Sequence, residues 1–145
     1  MDKLRIDITE LLPEGVFLMD LKEDPHKGMV RCFVDGETSI SLNETSFIAK
    51  QIQESGLLDE YYPSGASLEV TTLGLGEPLT QPFQYRKNVG RFLNLYYDKN
   101  GYKKHTEAEL VGFDEEILFL KNKQNGQFQL RLENILLAKV IVQFN

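Results

Sequence analysis

The stretch Leu68–Leu79 reads LEVTTLGLGEPL, and the fold turns on how it is read. It opens like a strand and runs into a loop holding Gly74 and Gly76. A Gly-x-Gly after a strand is one mark of a phosphate site, but here the third glycine and the Gly-Lys-Ser/Thr of a P-loop are both absent. Pro78 stands where a phosphate-cradling helix would begin, and the nearest charge, Glu77, repels phosphate. The loop therefore reads as a linker whose glycines permit an unusual backbone path.

Charge changes sign across this linker. The 145 residues carry a formal net charge of −6. Residues through Pro82 hold 6 Lys+Arg and 15 Asp+Glu, whereas those from Phe83 onward hold 10 and 7. An acidic module followed by a mildly basic one fits two partners of different chemistry. The net charge disfavours naked nucleic acid as the sole partner. No apolar run approaches the roughly 20 residues needed to cross a bilayer. The charged start MDKLRIDITELLPEG has no signal-peptide core. With a single cysteine, Cys32, the expectation is a cytoplasmic protein without an internal disulfide.

Before the linker the pattern is mixed α and β. Leu4, Ile8, Leu11 and Leu12 have helical spacing, although Leu4, Ile6 and Ile8 also alternate like a strand; a short helix ending before Pro13 is the reading adopted. VFLMDL (Val16–Leu21) and MVRCFVD (Met29–Asp35) flank the turn EDPHKG and read as a hairpin. Ser41 with Glu44 forms a capping box for a helix presenting Phe47, Ile48 and Ile52 on one face and stopping at Gly56. ASLEVTT supplies a third strand.

After Pro78 and Pro82, FQYRKNVG reads as one or two turns of helix. Short alternating runs follow: FLNLYY, EAELVGF, ILFLK, FQLRL and LAKVIVQF. They are separated by Asn100-Gly101, the acidic corner Asp114–Glu116 and Asn125-Gly126. Asn-Gly between alternating apolar runs is a strong hairpin signal. Five short strands in about 55 residues imply a small closed barrel, which removes exposed edges. The fold class is thus α+β, with an N-terminal α/β domain over residues 1–80 and a five-stranded barrel over 81–145.

Ingredients for chemistry are sparse. His26 and His105 lie in or beside turns without a Cys or second His at metal-ligand spacing, and read as solvated turn residues. Cys32 sits among apolar strand residues and reads as core. The carboxylates cluster in turns, and no loop has EF-hand spacing. No catalytic, cofactor or metal site is assigned.

From Leu68 to Arg91 the sequence LEVTTLGLGEPLTQPFQYRKNVGR resembles the signature of the ribosome maturation factor RimP family. The matching positions are Leu68, Glu69, Val70, Thr71, Gly74, Leu75, Pro78, Leu79, Tyr85, Gly90 and Arg91. FVDGETSISLNETSFIAKQI is similar to the family's strand–loop–helix, and AELVGFDEEILFL to its Sm-like hairpin. The family usually has Pro, Asp and Arg where this chain has Leu73, Gly76 and Glu77, so the role of that Arg is not carried over. The N-terminal helix also looks shorter than the family's.

The resemblance implies an SH3-like, Sm-type C-terminal barrel. It also implies a non-enzymatic factor, most simply a monomer, for late maturation of the small (30S) ribosomal subunit. Its implied partners are the immature 30S subunit, 16S rRNA and a basic small-subunit protein near the decoding region. The alternative is a stand-alone Sm-like module acting on other RNAs. The family-signature joint is Glu69, Gly74, Leu75, Pro78, Leu79, Tyr85 and Gly90. With Leu73, Leu75, Leu79, Phe83 and Tyr85 the stretch is too apolar for a free linker, and it is expected to hold the two domains in a preferred arrangement. Arg86, Lys87 and Arg91, beside that joint, are the first candidates for ribosome contact, because clustered cations are what an RNA backbone selects. Lys103 and Lys104, at a hairpin where lysines are often only solubilising, are the second.

Overall fold

The computed structural model describes residues 2–73 and 76–142. The chain divides into two compact units, Met1–Leu73 and Gly74–Asn145. The signature positions Gly74 and Leu75 lie outside the described residues.

The first unit runs α1 (Lys3–Leu11), β1 (Val16–Asp24), β2 (Met29–Gly36), α2 (Leu42–Glu54), α3 (Leu57–Tyr61) and β3 (Ser67–Thr72). The ambiguity at the start resolves as a helix: the Asp2 side chain caps it by accepting from the Leu4 N–H at 3.1 Å. Leu4 and Ile8, one turn apart, are buried, whereas Ile6 is exposed. β1 and β2 pair antiparallel and β2 and β3 parallel, in the order β1-β2-β3, so α2 and α3 form the crossover that parallel strands require.

The capping box of α2 is formed in both directions, Glu44 N–H to Ser41 Oγ at 3.2 Å and Ser41 N–H to Glu44 Oε1 at 3.3 Å. Its buried face is Thr45, Ile48 and Ile52. Phe47, read as part of that face, is 57% exposed, because it stands about 100° around the helix from Ile48. Leu4, Ile8, Val30, Cys32, Ile48, Ile52 and Leu58 make one core. The helices therefore share a single face of the sheet. Gly56, with φ +76, ends α2, and α3 starts directly after it.

The second unit runs α4 (Pro82–Lys87), β4 (Phe92–Lys99), β5 (Tyr102–Asp114), β6 (Ile117–Asn122), β7 (Gly126–Arg131), a 3-10 turn (Leu132–Asn134) and β8 (Ile135–Val140). The five strands form an antiparallel sheet in the order β7-β6-β5-β4-β8. Its apolar face folds over one core, with Leu93 and Leu95 from β4, Ala108 and Leu110 from β5, and Leu118 and Leu120 from β6. Ala138 of β8 is buried in the same core, and Phe128 and Leu130 of β7 pack against it.

The closed barrel read from the strand count is not formed. Among the described residues β7 and β8 are the two edges, with no ladder between them. The 3-10 turn carries the chain across the open side instead of turning it back as a hairpin. The β8 edge is partly covered, since the Leu79 N–H donates to the Ala138 carbonyl at 2.8 Å. Among the described residues no helix is long and apolar enough to cross a membrane.

Candidate functional site

The signature residues after the linker are fastened to the second unit by backbone and side-chain bonds. Pro82 opens α4, where its missing N–H costs no helical bond. The buried Gln84 side chain accepts from the Thr80 N–H at 2.7 Å and the Gln81 N–H at 2.9 Å. Its carbonyl oxygen is thereby satisfied where water is excluded. Tyr85 is fully buried in the core, stacked on Phe113 with centroids 5.4 Å apart, and its hydroxyl donates to the Leu79 carbonyl at 3.3 Å. Burial pushes its phenol up to about 12.

Leu79 packs against the same core, so both residues are accounted for by contacts within the second unit. Gly90 has φ +99 and no neighbour that a Cβ would meet; backbone conformation, not space, calls for glycine there. Its N–H donates to the Leu110 carbonyl at 2.7 Å, which ties the end of the signature to β5. Pro78 is half-buried. Glu69, on β3 of the first unit, pairs with Arg31 at 3.0 Å; with both side chains largely exposed, that pair contributes little.

The two basic groups singled out in the sequence lie apart. Arg86 is exposed and Lys87 half-buried in the last turn of α4, and exposed Arg91 precedes β4. Lys103 and Lys104 are exposed on β5, opposite Asp98 and Tyr97 at the far end of β4. At about 3.3 Å per residue this places the groups roughly 20 Å apart along the strand. They are two candidate patches, not one.

The remaining reactive groups behave as structure. Cys32 is buried, and burial raises its thiol to about 11, so it is a core thiol and not a nucleophile at neutral pH. His26 is exposed in the β1–β2 turn. His105, read as a turn residue, belongs to β5; it hydrogen-bonds Asn94, and its ring lies against Tyr96 with centroids 4.5 Å apart. Among the described residues no group of three or more His, Cys, Asp and Glu is placed to hold a metal ion.

Sequence reasoning missed a half-open cleft of about 540 Å³ in the second unit, running from Asn125 in the β6–β7 turn along β7 to Arg131 and facing the end of β4. Its floor is the rim of the core, left uncovered where the sheet does not close. The alternation in β7 and β4 carried this signal, since Phe128, Leu130 and Tyr97 continue the core-facing rows. Without the fold, those rows look fully internal.

The chain matches no protein-family model. It is 31% identical over 94 residues to a protein of Christiangramia forsetii named ribosome maturation factor RimP, covering 65% of this chain and 57% of that one. It is also 31% identical over 115 residues to a protein of the same name from Pelodictyon phaeoclathratiforme, covering 74% of this chain and 64% of the relative. The chain thus spans less than two thirds of the length of these curated relatives. Both matches are longer than either unit, so each includes residues of both.

Proposed function

Since the chain belongs to the ribosome maturation factor RimP family, we propose that it is a ribosome maturation factor acting on the small subunit. In this reading it binds the immature 30S particle in the cytoplasm and assists late folding and processing of 16S rRNA without catalysing a reaction. The observation that carries it is the similarity to two named maturation factors through residues of both units.

The charge distribution supports a division of labour. The acidic first unit meets a basic small-subunit protein near the decoding region, and cations of the second unit meet rRNA phosphates. Arg86, Lys87 and Arg91 form one proposed contact; Lys103 and Lys104 form the other. The five-stranded sheet, with a 3-10 turn between its last two strands, is read as an open SH3-like, Sm-type barrel. The two units are read as two domains of a monomer, joined at the signature positions Glu69, Gly74, Leu75, Pro78, Leu79, Tyr85 and Gly90.

Sedimentation of lysate holding a tagged copy tests the reading. The expected result is co-migration with free small subunits and absence from translating ribosomes. A copy that stays with other RNAs, or at the top of the gradient, would instead mark a stand-alone RNA-binding module or remove the ribosome from the account.

A further inference from the structure

We infer that the cleft along β7 binds an unpaired nucleotide of single-stranded RNA, with the β4–β5 hairpin holding the adjoining phosphates. The inference rests on the ribosomal reading above and adds a site and a ligand class to it. The cleft's volume of about 540 Å³ suits a small ligand. Its apolar floor is two half-buried aromatic rings, Tyr97 and Phe128, with Leu130 beside them. Aromatic rings accept any base by stacking.

Asn100, Asn125 and Asn134 line the same cleft, whereas the Gln129 side chain, alternating with Phe128 and Leu130, lies on the other face of β7. An amide side chain offers both a donor and an acceptor, which is what a splayed-out base presents on its Watson–Crick edge. A cleft for an aliphatic ligand would have no use for three of them.

The charge around the cleft gives a direction. Lys99 lines it, Lys104 stands directly across the ladder from Tyr97, and Lys103 stands across from Asp98, a carboxylate that also lines the cleft. Tyr102, paired with Lys99 at the hairpin tip, is 71% exposed. At the other end Arg131 pairs with Glu133 at 3.3 Å and borders Glu115 and Glu116. Phosphates are therefore favoured over the lysine hairpin and repelled at the acidic corner, so the strand leaves over β4–β5. The lysines, which alone are an ordinary solvated surface, become the cationic side of an aromatic and amide cleft.

The test titrates the isotope-labelled full chain with single-stranded hexanucleotides of U, A and C, following backbone amide shifts by NMR at several salt concentrations. Shifts are expected to concentrate at residues 97–100, 125–131 and 134. The triple variant Lys99→Gln, Lys103→Gln, Lys104→Gln should weaken binding and flatten the salt dependence by about 0.7 for each phosphate that a lysine no longer neutralises. Phe128→Leu, which keeps the floor apolar, should weaken binding by on the order of tenfold while leaving the salt slope unchanged.

Shifts confined to residues 86–91, or no shifts at millimolar oligonucleotide, overturn the cleft even if the protein co-sediments with small subunits. Shifts at the cleft without co-sedimentation leave it standing and overturn the ribosomal reading. Shifts along β7 that appear only with an extended peptide assign the open edge to strand addition instead, and overturn the proposal.

Discussion

Tyr85 is the signature residue whose role the structure states most sharply: it is a core residue of the second unit and not a platform for bases. Two substitutions separate its parts. Tyr85→Phe keeps the ring and its stack on Phe113 but removes the 3.3 Å hydrogen bond to Leu79, which costs about 0.5–1.5 kcal/mol. Tyr85→Ala removes a fully buried aromatic side chain and leaves a cavity, which costs about 3–5 kcal/mol. A unit of roughly 70 residues is stable by about 4–10 kcal/mol, so the Ala variant leaves it marginal. Hydrogen exchange reads this locally, because exchange through unfolding scales with the opening constant. Amides of Leu93, Leu95 and Leu110 should exchange on the order of 10²–10⁴ times faster in Tyr85→Ala, and up to about tenfold faster in Tyr85→Phe. Unchanged exchange in Tyr85→Ala would refute the packing role and make the ring a candidate for stacking on RNA bases.

Three further outcomes follow from the same geometry. Glu115 and Glu116 occupy a two-residue turn at φ +48 and +63, where β-carbons are strained; Asn100-Gly101 makes the equivalent β4–β5 turn with residues suited to it. Glu115→Asn with Glu116→Gly should raise the urea stability of the second unit by about 1 kcal/mol, and a decrease would show that the corner is held by its side chains. Tyr61, hydrogen-bonded to Asp7, is pushed up to about 12, as is Tyr62, through burial and its bond to Glu23, and as is buried Tyr85. Folding favours the neutral phenols, so their contribution is complete below the ordinary value of 10 and is lost as pH rises toward 12. Phenolate absorbance should show these three ionising late, with unfolding in that window; early ionisation of all three without unfolding would contradict it. Replacing Arg86, Lys87 and Arg91 together by Ala should weaken binding to purified immature small subunits and lower the salt slope by roughly 1 for each phosphate these side chains neutralise. An unchanged slope in the folded variant would remove that patch from the interface.

What could be read in advance was local. The Ser41–Glu44 capping box, the short helix in FQYRKNVG and the Asn100-Gly101 turn each depend on residues within a few positions, and each forms, the helix starting one residue earlier, at Pro82. α3 escaped because Gly56 is a valid helix stop and the five residues after it carry too little periodicity to announce a second helix. The acidic corner escaped as a strained turn because it contains no glycine or asparagine to mark it. The open side of the sheet and its cleft escaped for a different reason. They depend on where β7 and β8 come to lie, which the alternation within each strand does not encode. The same non-local cause separates Arg91 from Lys103, which composition alone groups as one basic half.

Everything said of function depends on whether the protein matures small subunits. The most direct measurement is the ratio of precursor to mature 16S rRNA, with the subunit profile, in a strain lacking the gene, at normal and low temperature. The predicted result is slow growth, accumulated precursor and an excess of free small subunits, all restored by a plasmid copy of the gene. A normal precursor ratio and a normal subunit profile at both temperatures would contradict it.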